Sequence, residues 1–107
     1  MIFAIADHIE QIKRGIKTQT RRHSNRYHIN RLYAIQPCRT CKGIPAGKIR
    51  ILEKYTEWWP YPISRQDAQA EGGYTPQEFE DLYQQLHPDW GIRWMHRFEF
   101  VPTEGKE

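Results

Sequence analysis

Hydrophobic and polar positions in the first part of the chain predict a strand, a short helix and an extended segment. The apolar run MIFAI (1–5) is a candidate strand, and isoleucine then recurs at helical spacing across 9–16. Asp7 has a glutamate three residues later, which is a capping-box spacing at a helix start. Gly15 is placed to end this helix in the left-handed conformation. The polar segment 17–22 is therefore predicted to leave the helix at once and to run extended.

The remainder of the chain alternates between strand and helix patterns. Strands are predicted at 32–36, 48–59 and 92–101, and in the last two segments apolar and polar residues alternate. Helices are predicted at 64–73 and 75–87, each opened by a serine or threonine suited to an N-cap, the second followed by proline. Strands that surround two or three short helices predict an α+β domain with a small, curved, mostly antiparallel sheet or barrel.

Length and composition favour one soluble domain over residues 1–107. With 38% hydrophobic residues the chain can build one core, and 107 residues are too few for two. No apolar run approaches the roughly 18 residues of a membrane span. The N-terminal residues lack the basic stretch of a signal peptide, so we expect a cytoplasmic protein. The oligomeric state is left open.

The charges are divided unevenly along the chain. Residues 1–54 contain 12 Lys/Arg against 3 Asp/Glu, a balance of +9, and residues 55–107 contain 4 against 10, a balance of −6. A basic half favours an anionic or nucleic-acid-like partner. Mutual attraction of the two halves within the fold explains the same numbers, and the sequence leaves both interpretations open.

The segment GIKTQTRR (15–22) contains the residues most suited to chemistry. A threonine hydroxyl becomes a nucleophile when a neutral amine nearby takes its proton, and a lysine whose pKa is lowered by burial and neighbouring cations can do so. Lys17 and Thr20 fit these roles only if the chain bends, because positions 17 and 20 face opposite sides of a regular strand. Thr18, which shares a strand face with Thr20, is the reserve nucleophile. The plain alternative is a solvated basic turn.

Several segments together resemble a known family. IKRGIKTQTRR, LYAIQ, EGGYTPQEFEDLYQQLH and RFEFV, in this order, resemble the ASCH domain, a branch of the PUA-like β-barrel superfamily. In length and layout the chain is most similar to the small bacterial N4-acetylcytidine amidohydrolases. That resemblance implies a metal-independent and cofactor-free amidohydrolase that cleaves the N4-acyl amide of N4-acetylcytidine and related N4-acylcytosine nucleosides.

The resemblance also implies the catalytic residues. It matches the lysine and threonine of the family's catalytic element to Lys17 and Thr20, and its distant glutamate to Glu71. Thr20 is then the nucleophile, Lys17 its base, and Glu71 the carboxylate that orients the ammonium or handles a proton. On residue types alone, a solvated carboxylate at a helix end explains Glu71 equally well.

Substrate-binding residues are predicted beside these. Arg22, which the family motif matches and which alternates onto the face of Thr20, and Arg21 are expected to hold a ribose, a phosphate or a developing oxyanion. Trp59, in the segment EWWPYP, is a candidate to stack on the base at the rim of a pocket. Surface ion pairs and core packing are the alternatives.

Cys38 and Cys41 form a C-x-x-C pair. A structural zinc site needs two further ligands, and only His23 and His28 are near in sequence. We therefore expect a reduced pair in a loop and no metal.

Two other functions stay open on the same residues. A binding module would hold RNA or a modified base without turnover, and its affinity would fall steeply with salt. A metal-independent ribonuclease would use the same lysine and arginines to cleave single-stranded RNA. The expected partners are accordingly a nucleoside or RNA, with no membrane.

Overall fold

The computed structural model describes residues 1–59, 63–87 and 91–103, without the side chains of Ala6 and Trp59. Its elements, in chain order, are α1 (Ala6–Lys13), β1 (Gln19–Arg22), β2 (Leu32–Ala34), β3 (Gly47–Trp59), α2 (Arg65–Gly72), α3 (Pro76–Leu86) and β4 (Gly91–Pro102). The predicted α+β class is confirmed. The described helices are all too short and too polar to cross a bilayer.

The four strands form one curled antiparallel sheet, a half-barrel, in the order β1-β4-β3-β2. The long β3–β4 ladder carries an irregularity between Ile51 and Glu53, and a bulge of this kind bends a strand and increases its twist. The short strand β1 lies at one edge, paired only with β4. The predicted strand at 1–5 is reduced to a single parallel bridge between Ile2 and Gln36.

Two apolar clusters support the sheet. The larger joins the N-terminal segment and α1 to the sheet through Met1, Phe3, Ile12, Tyr27, Ile35, Ile49, Ile51 and Phe98. The smaller consists of Ile63, Ala68, Phe79 and Tyr83, from α2, α3 and the residue before α2. Each cluster contacts one arginine of the edge strand β1: the Phe3 ring lies 5.0 Å from the guanidinium carbon of Arg22, and the Phe79 ring 5.9 Å from that of Arg21.

The ends of α2 and α3 follow the predicted capping rules. The Ser64 side chain accepts from the backbone N–H of Asp67, and Thr75 and Glu78 form a complete capping box. Gly73 ends α2 in the left-handed conformation at φ 80°. The predicted Asp7 cap is wrong: Ile5 occupies the N-cap of α1, with no side-chain hydrogen bond.

The loop before β3 differs from the sequence prediction. Cys38 and Cys41 are joined by a disulfide bond, so the expectation of a reduced pair is wrong. Their Cα atoms lie 5.1 Å apart, which is a separation suited to a disulfide. Two cysteines three residues apart in sequence come this close when the loop between them turns tightly.

Gly47 opens β3 at a point where the backbone of β4 approaches closely. A Cβ at this position would lie 2.4 Å from the carbonyl oxygen of Val101 and 2.8 Å from the ring of Phe100. We predict that Gly47→Ala lowers the free energy of unfolding by about 1–3 kcal/mol, because backbone atoms cannot move aside cheaply. Urea denaturation measures the change, and a variant as stable as the wild type would contradict the packing described for β3 and β4.

Candidate active site

A cavity of about 390 Å³ opens beside the edge strand β1. One side is apolar and includes Phe3, Ile5, Leu82 and Leu86. The polar side consists of His8, Lys17, Thr20, Arg21, Arg22, Glu71 and His87. Five of the six predicted site residues therefore line one cavity. The sixth, Trp59, ends β3, but its side chain lies outside the described part of the structure.

Glu71 is the buried centre of the polar side. Its side chain is 2% exposed, at the end of α2, and its Oε2 accepts a 2.6 Å hydrogen bond from Nη1 of Arg21. Its Oε1 lies 3.6 Å from Nζ of Lys17, whose side chain is also 2% exposed. One buried carboxylate therefore pairs with two buried cations, and removing it would leave the Lys17 ammonium without a carboxylate partner among the described residues.

Lys17 lies before β1 rather than within it, which resolves the spacing problem of the sequence. The chain turns at Gly15, where φ is 77°, and the Lys17 ammonium donates to the carbonyl oxygens of Gln19 (2.9 Å) and Glu71 (2.5 Å). Because residue 17 is outside the regular strand, its side chain lines the same cavity as Thr20. Burial lowers the Lys17 pKa to about 8, and the positive charge of Arg22 acts in the same direction, while Glu71 opposes both.

Thr20 lies in the middle of β1, opposite His96 of β4, and is 5% exposed. Its Oγ1 accepts a 3.2 Å hydrogen bond from Nε of Arg22. The reserve nucleophile Thr18 is held differently: its backbone bonds to Ala70 and Phe98, and it is not among the residues that line the cavity. Geometry therefore favours Thr20 over Thr18.

Arg22 shares the strand face of Thr20, as the alternation predicts. Its Nη2 donates to the carbonyl oxygen of Ile2 at 2.6 Å, and its guanidinium carbon lies 5.0 Å from the centre of the Phe3 ring. Within the described residues it has no carboxylate partner.

Arg21 is bound into a network of ion pairs. Its guanidinium contacts the carboxylates of Glu57, Asp67 and Glu71. Arg93 extends the network, because it also binds Glu57. With its donors engaged by protein carboxylates, Arg21 holds Glu71 in place within the site.

The network reaches α3 through Arg93, a residue that sequence reasoning missed. Arg93 is fully buried, donates to both oxygens of Glu80, and lies 4.7 Å from the Tyr83 ring. Alternation along β4 places Arg93 on the face opposite Trp94, His96 and Phe98. That face is also covered, by the helical layer, so a charged residue there needed buried partners.

Three further cavity residues were missed. His8 is four residues before the buried Ile12, and its Nε2 lies 2.7 Å from Tyr74 Oη. Burial, together with Lys17 and Arg22, lowers its pKa to about 3, so the ring is neutral at neutral pH. Phe79 and Tyr83 of α3 and its C-cap residue His87 follow one another at intervals of four residues. This helical spacing is the sequence signal that could have identified Tyr83 and His87.

A stacked pair of imidazoles lies at the His87 end of the cavity. The rings of His23 and His87 are 4.2 Å apart, and Tyr83 lies 4.7 Å from His87. Burial, together with the neighbouring His23 and Arg22, lowers the His87 pKa. In the described part of the chain, no three His, Cys, Asp or Glu side chains are grouped as metal ligands.

The fold is similar to solved structures of ASCH type. The chain matches an ASCH domain from Lactobacillus crispatus JV V101 with a TM-score of 0.72 at 14% identity, over 88% of this chain and 70% of that one. It matches a DUF984 protein from Enterococcus faecalis V583 with a TM-score of 0.68 at 17% identity, over 90% and 68%. No family model and no curated protein matches the sequence. At these identities the likeness shows the fold, and the predicted ASCH, PUA-like fold is confirmed.

We predict that Glu71→Leu lowers the free energy of unfolding by about 3–5 kcal/mol, because it leaves the buried charge of Lys17 without a carboxylate partner among the described residues and removes one of the three carboxylates that bind Arg21. Urea denaturation measures the loss. In a Lys17→Met background the same substitution should cost less, since one of the two cations is already gone.

Glu10→Gln is the matched control, because it breaks an exposed pair with Lys13 on α1 and should leave stability unchanged. If Glu71→Leu were as stable as this control, the buried carboxylate would not hold the site together.

Proposed function

We propose that the protein is an amidohydrolase that cleaves the exocyclic N4-acyl amide of N4-acylated cytidine, with N4-acetylcytidine as the first substrate to test. The observation that supports it is a threonine hydroxyl in the same cavity as a buried lysine whose pKa is lowered to about 8. The motif resemblance adds the substrate class. The cavity volume of about 390 Å³ is within the range of small-molecule pockets.

In the proposed first step, neutral Lys17 takes the proton of the Thr20 hydroxyl while Oγ1 attacks the acyl carbonyl carbon. The carbonyl oxygen gains negative charge in the tetrahedral intermediate. Arg22 is suited to stabilise it, because its Nε already lies 3.2 Å from Thr20 Oγ1, beside the position of the reacting carbon.

The second step releases the nucleoside. The carbon–nitrogen bond breaks, and the Lys17 ammonium returns its proton to N4, which gives cytidine and an acyl ester on Thr20. Water then hydrolyses the ester, with Lys17 again accepting and returning a proton, and the carboxylic acid leaves. Glu71 and the carbonyl oxygen of Gln19 orient the amine throughout by accepting its hydrogen bonds.

The remaining predicted residues have supporting roles in this proposal. Arg21 acts through Glu71, because its donors are engaged by protein carboxylates. Trp59 remains proposed as a partner for the cytosine ring. Neutral His8 and Tyr83 supply polar and aromatic surface within the cavity.

Exposed cations support RNA binding as a second candidate function. Arg14, Arg31, Arg39, Lys42 and Lys48 are exposed, and none pairs with a carboxylate of the described residues. A fall of RNA affinity with salt and no release of cytidine would favour this function, and RNA fragments formed without metal would favour a ribonuclease.

We predict that Thr20→Ala loses about a thousandfold or more in kcat/KM for N4-acetylcytidine, because no other serine or threonine is among the described residues that line the cavity. Cytidine release is followed spectrophotometrically, with EDTA present. Thr18→Ala is the matched control and should retain activity, because Thr18 is outside the cavity lining. A folded Thr20→Ala enzyme that works as well as the Thr18→Ala control would exclude the proposed nucleophile, and an inactive wild type would exclude the substrate.

The pH dependence follows from the lowered pKa of Lys17. Only the neutral amine accepts a proton, so kcat/KM should fall roughly tenfold per pH unit below the pKa of about 8 and level off above it. Rates across a buffer series at constant ionic strength measure this profile. Lys17→Arg should be inactive at every pH, because a guanidinium stays protonated. A flat profile below the pKa would contradict Lys17 as the base.

A further inference from the structure

Arg22 differs from the other two cations of the cavity in having no carboxylate partner among the described residues. Lys17 and Arg21 both pair with Glu71. Arg22 instead donates to neutral oxygens, Thr20 Oγ1 and the carbonyl of Ile2, although its side chain is partly buried. A guanidinium in this setting can accept an anion, because part of its charge is still uncompensated.

Neighbouring groups are affected by this charge. Burial is the main cause of the lowered pKa of His8 and of His87, and Arg22 contributes to both. It also contributes to the lowered pKa of Lys17. The positive potential of Arg22 therefore extends across the cavity. An anion bound next to Arg22 would reduce this potential.

An apolar wall shares the cavity with Arg22. The Phe3 ring lies under the guanidinium, and Ile5, Leu82 and Leu86 line the same space. Leu86 is 58% exposed, so this wall reaches the solvent. A ligand with one negatively charged end and an apolar tail would contact both the Arg22 guanidinium and the apolar wall.

We propose that this cavity binds a short-chain monocarboxylate, with its carboxylate on Arg22 and its alkyl tail on the apolar wall. The ligand class rests on the proposed function, since a carboxylic acid is the second product of the proposed hydrolysis. The enzyme would then be inhibited by its own acid product, and more strongly when the acyl chain is longer.

The apolar wall favours an alkyl monocarboxylate over phosphate. A planar carboxylate matches the guanidinium fork. Phosphate can also bind a guanidinium, but it has no apolar group to place on Phe3, Leu82 and Leu86.

Isothermal titration calorimetry with acetate, butyrate and hexanoate tests the proposal, with inorganic phosphate as the comparison anion. We expect affinity to rise about fourfold for each methylene that reaches the wall, with phosphate weaker than hexanoate. No binding of any carboxylate up to about 100 mM, or phosphate binding tighter than hexanoate, would overturn the proposal.

Variants locate the two ends of the ligand. Arg22→Gln should weaken butyrate binding about tenfold or more, and Arg22→Lys less. Arg26→Gln removes an exposed positive charge outside the cavity lining and should leave binding unchanged.

Leu86→Ser, on a largely exposed residue, should reduce the preference for hexanoate over acetate. Equal butyrate affinity in folded Arg22→Gln and Arg26→Gln would overturn the carboxylate site, and an unchanged chain-length preference in Leu86→Ser would overturn the role of the wall.

Binding and turnover are measured separately, so the two proposals can fail separately. Carboxylate binding that depends on Arg22, without hydrolysis of N4-acetylcytidine, would keep the anion site and exclude the amidohydrolase. Hydrolysis without detectable carboxylate binding would keep the enzyme and overturn the product site.

Discussion

The buried carboxylate of Glu71, set between Lys17 and Arg21, is the interaction on which the rest of the site depends. It fixes the end of α2 against the edge strand β1, because both cations come from the segment 17–22 and neither can reach water freely. It also accounts for part of the uneven charge of the sequence, since carboxylates of the second half neutralise cations of the first. Through Arg21 and Glu57 the same ion pairs continue towards Arg93, and they join the cavity to α3.

Two opposing effects set the chemistry of Lys17. Burial favours the neutral amine, and the nearby Glu71 favours the ammonium; burial is the larger effect, and the pKa falls to about 8. A pKa near neutrality allows an amine both to accept a proton and to return it. Glu71 thus holds Lys17 in position, while the pKa of the amine stays low enough for the proposed role as a base. Arg22 has no carboxylate partner among the described residues, so its charge is available for the proposed oxyanion or acid product.

Local signals predicted much of the fold, and long-range packing determined what they missed. The Ser64 and Thr75 caps are hydrogen bonds between residues three apart in sequence, so the sequence alone could predict where α2 and α3 begin. Lys17 and Thr20 line one cavity because Lys17 lies before the start of β1, which is set by pairing with β4, whereas residue spacing alone indicated opposite faces. The burial of Arg93 was not predicted, because alternation along a strand assigns residues to two faces but does not indicate what covers each face.

In the proposed mechanism Thr20 becomes acylated during turnover, and this ester can be observed by mass spectrometry. The protein is quenched shortly after mixing with N4-acetylcytidine and is then analysed by peptide mapping. We expect one added acetyl group on the peptide that contains Thr20, formed before cytidine release reaches steady state and absent in Thr20→Ala. An active enzyme that never carries the acetyl group, or carries it on another residue, would exclude Thr20 as the nucleophile.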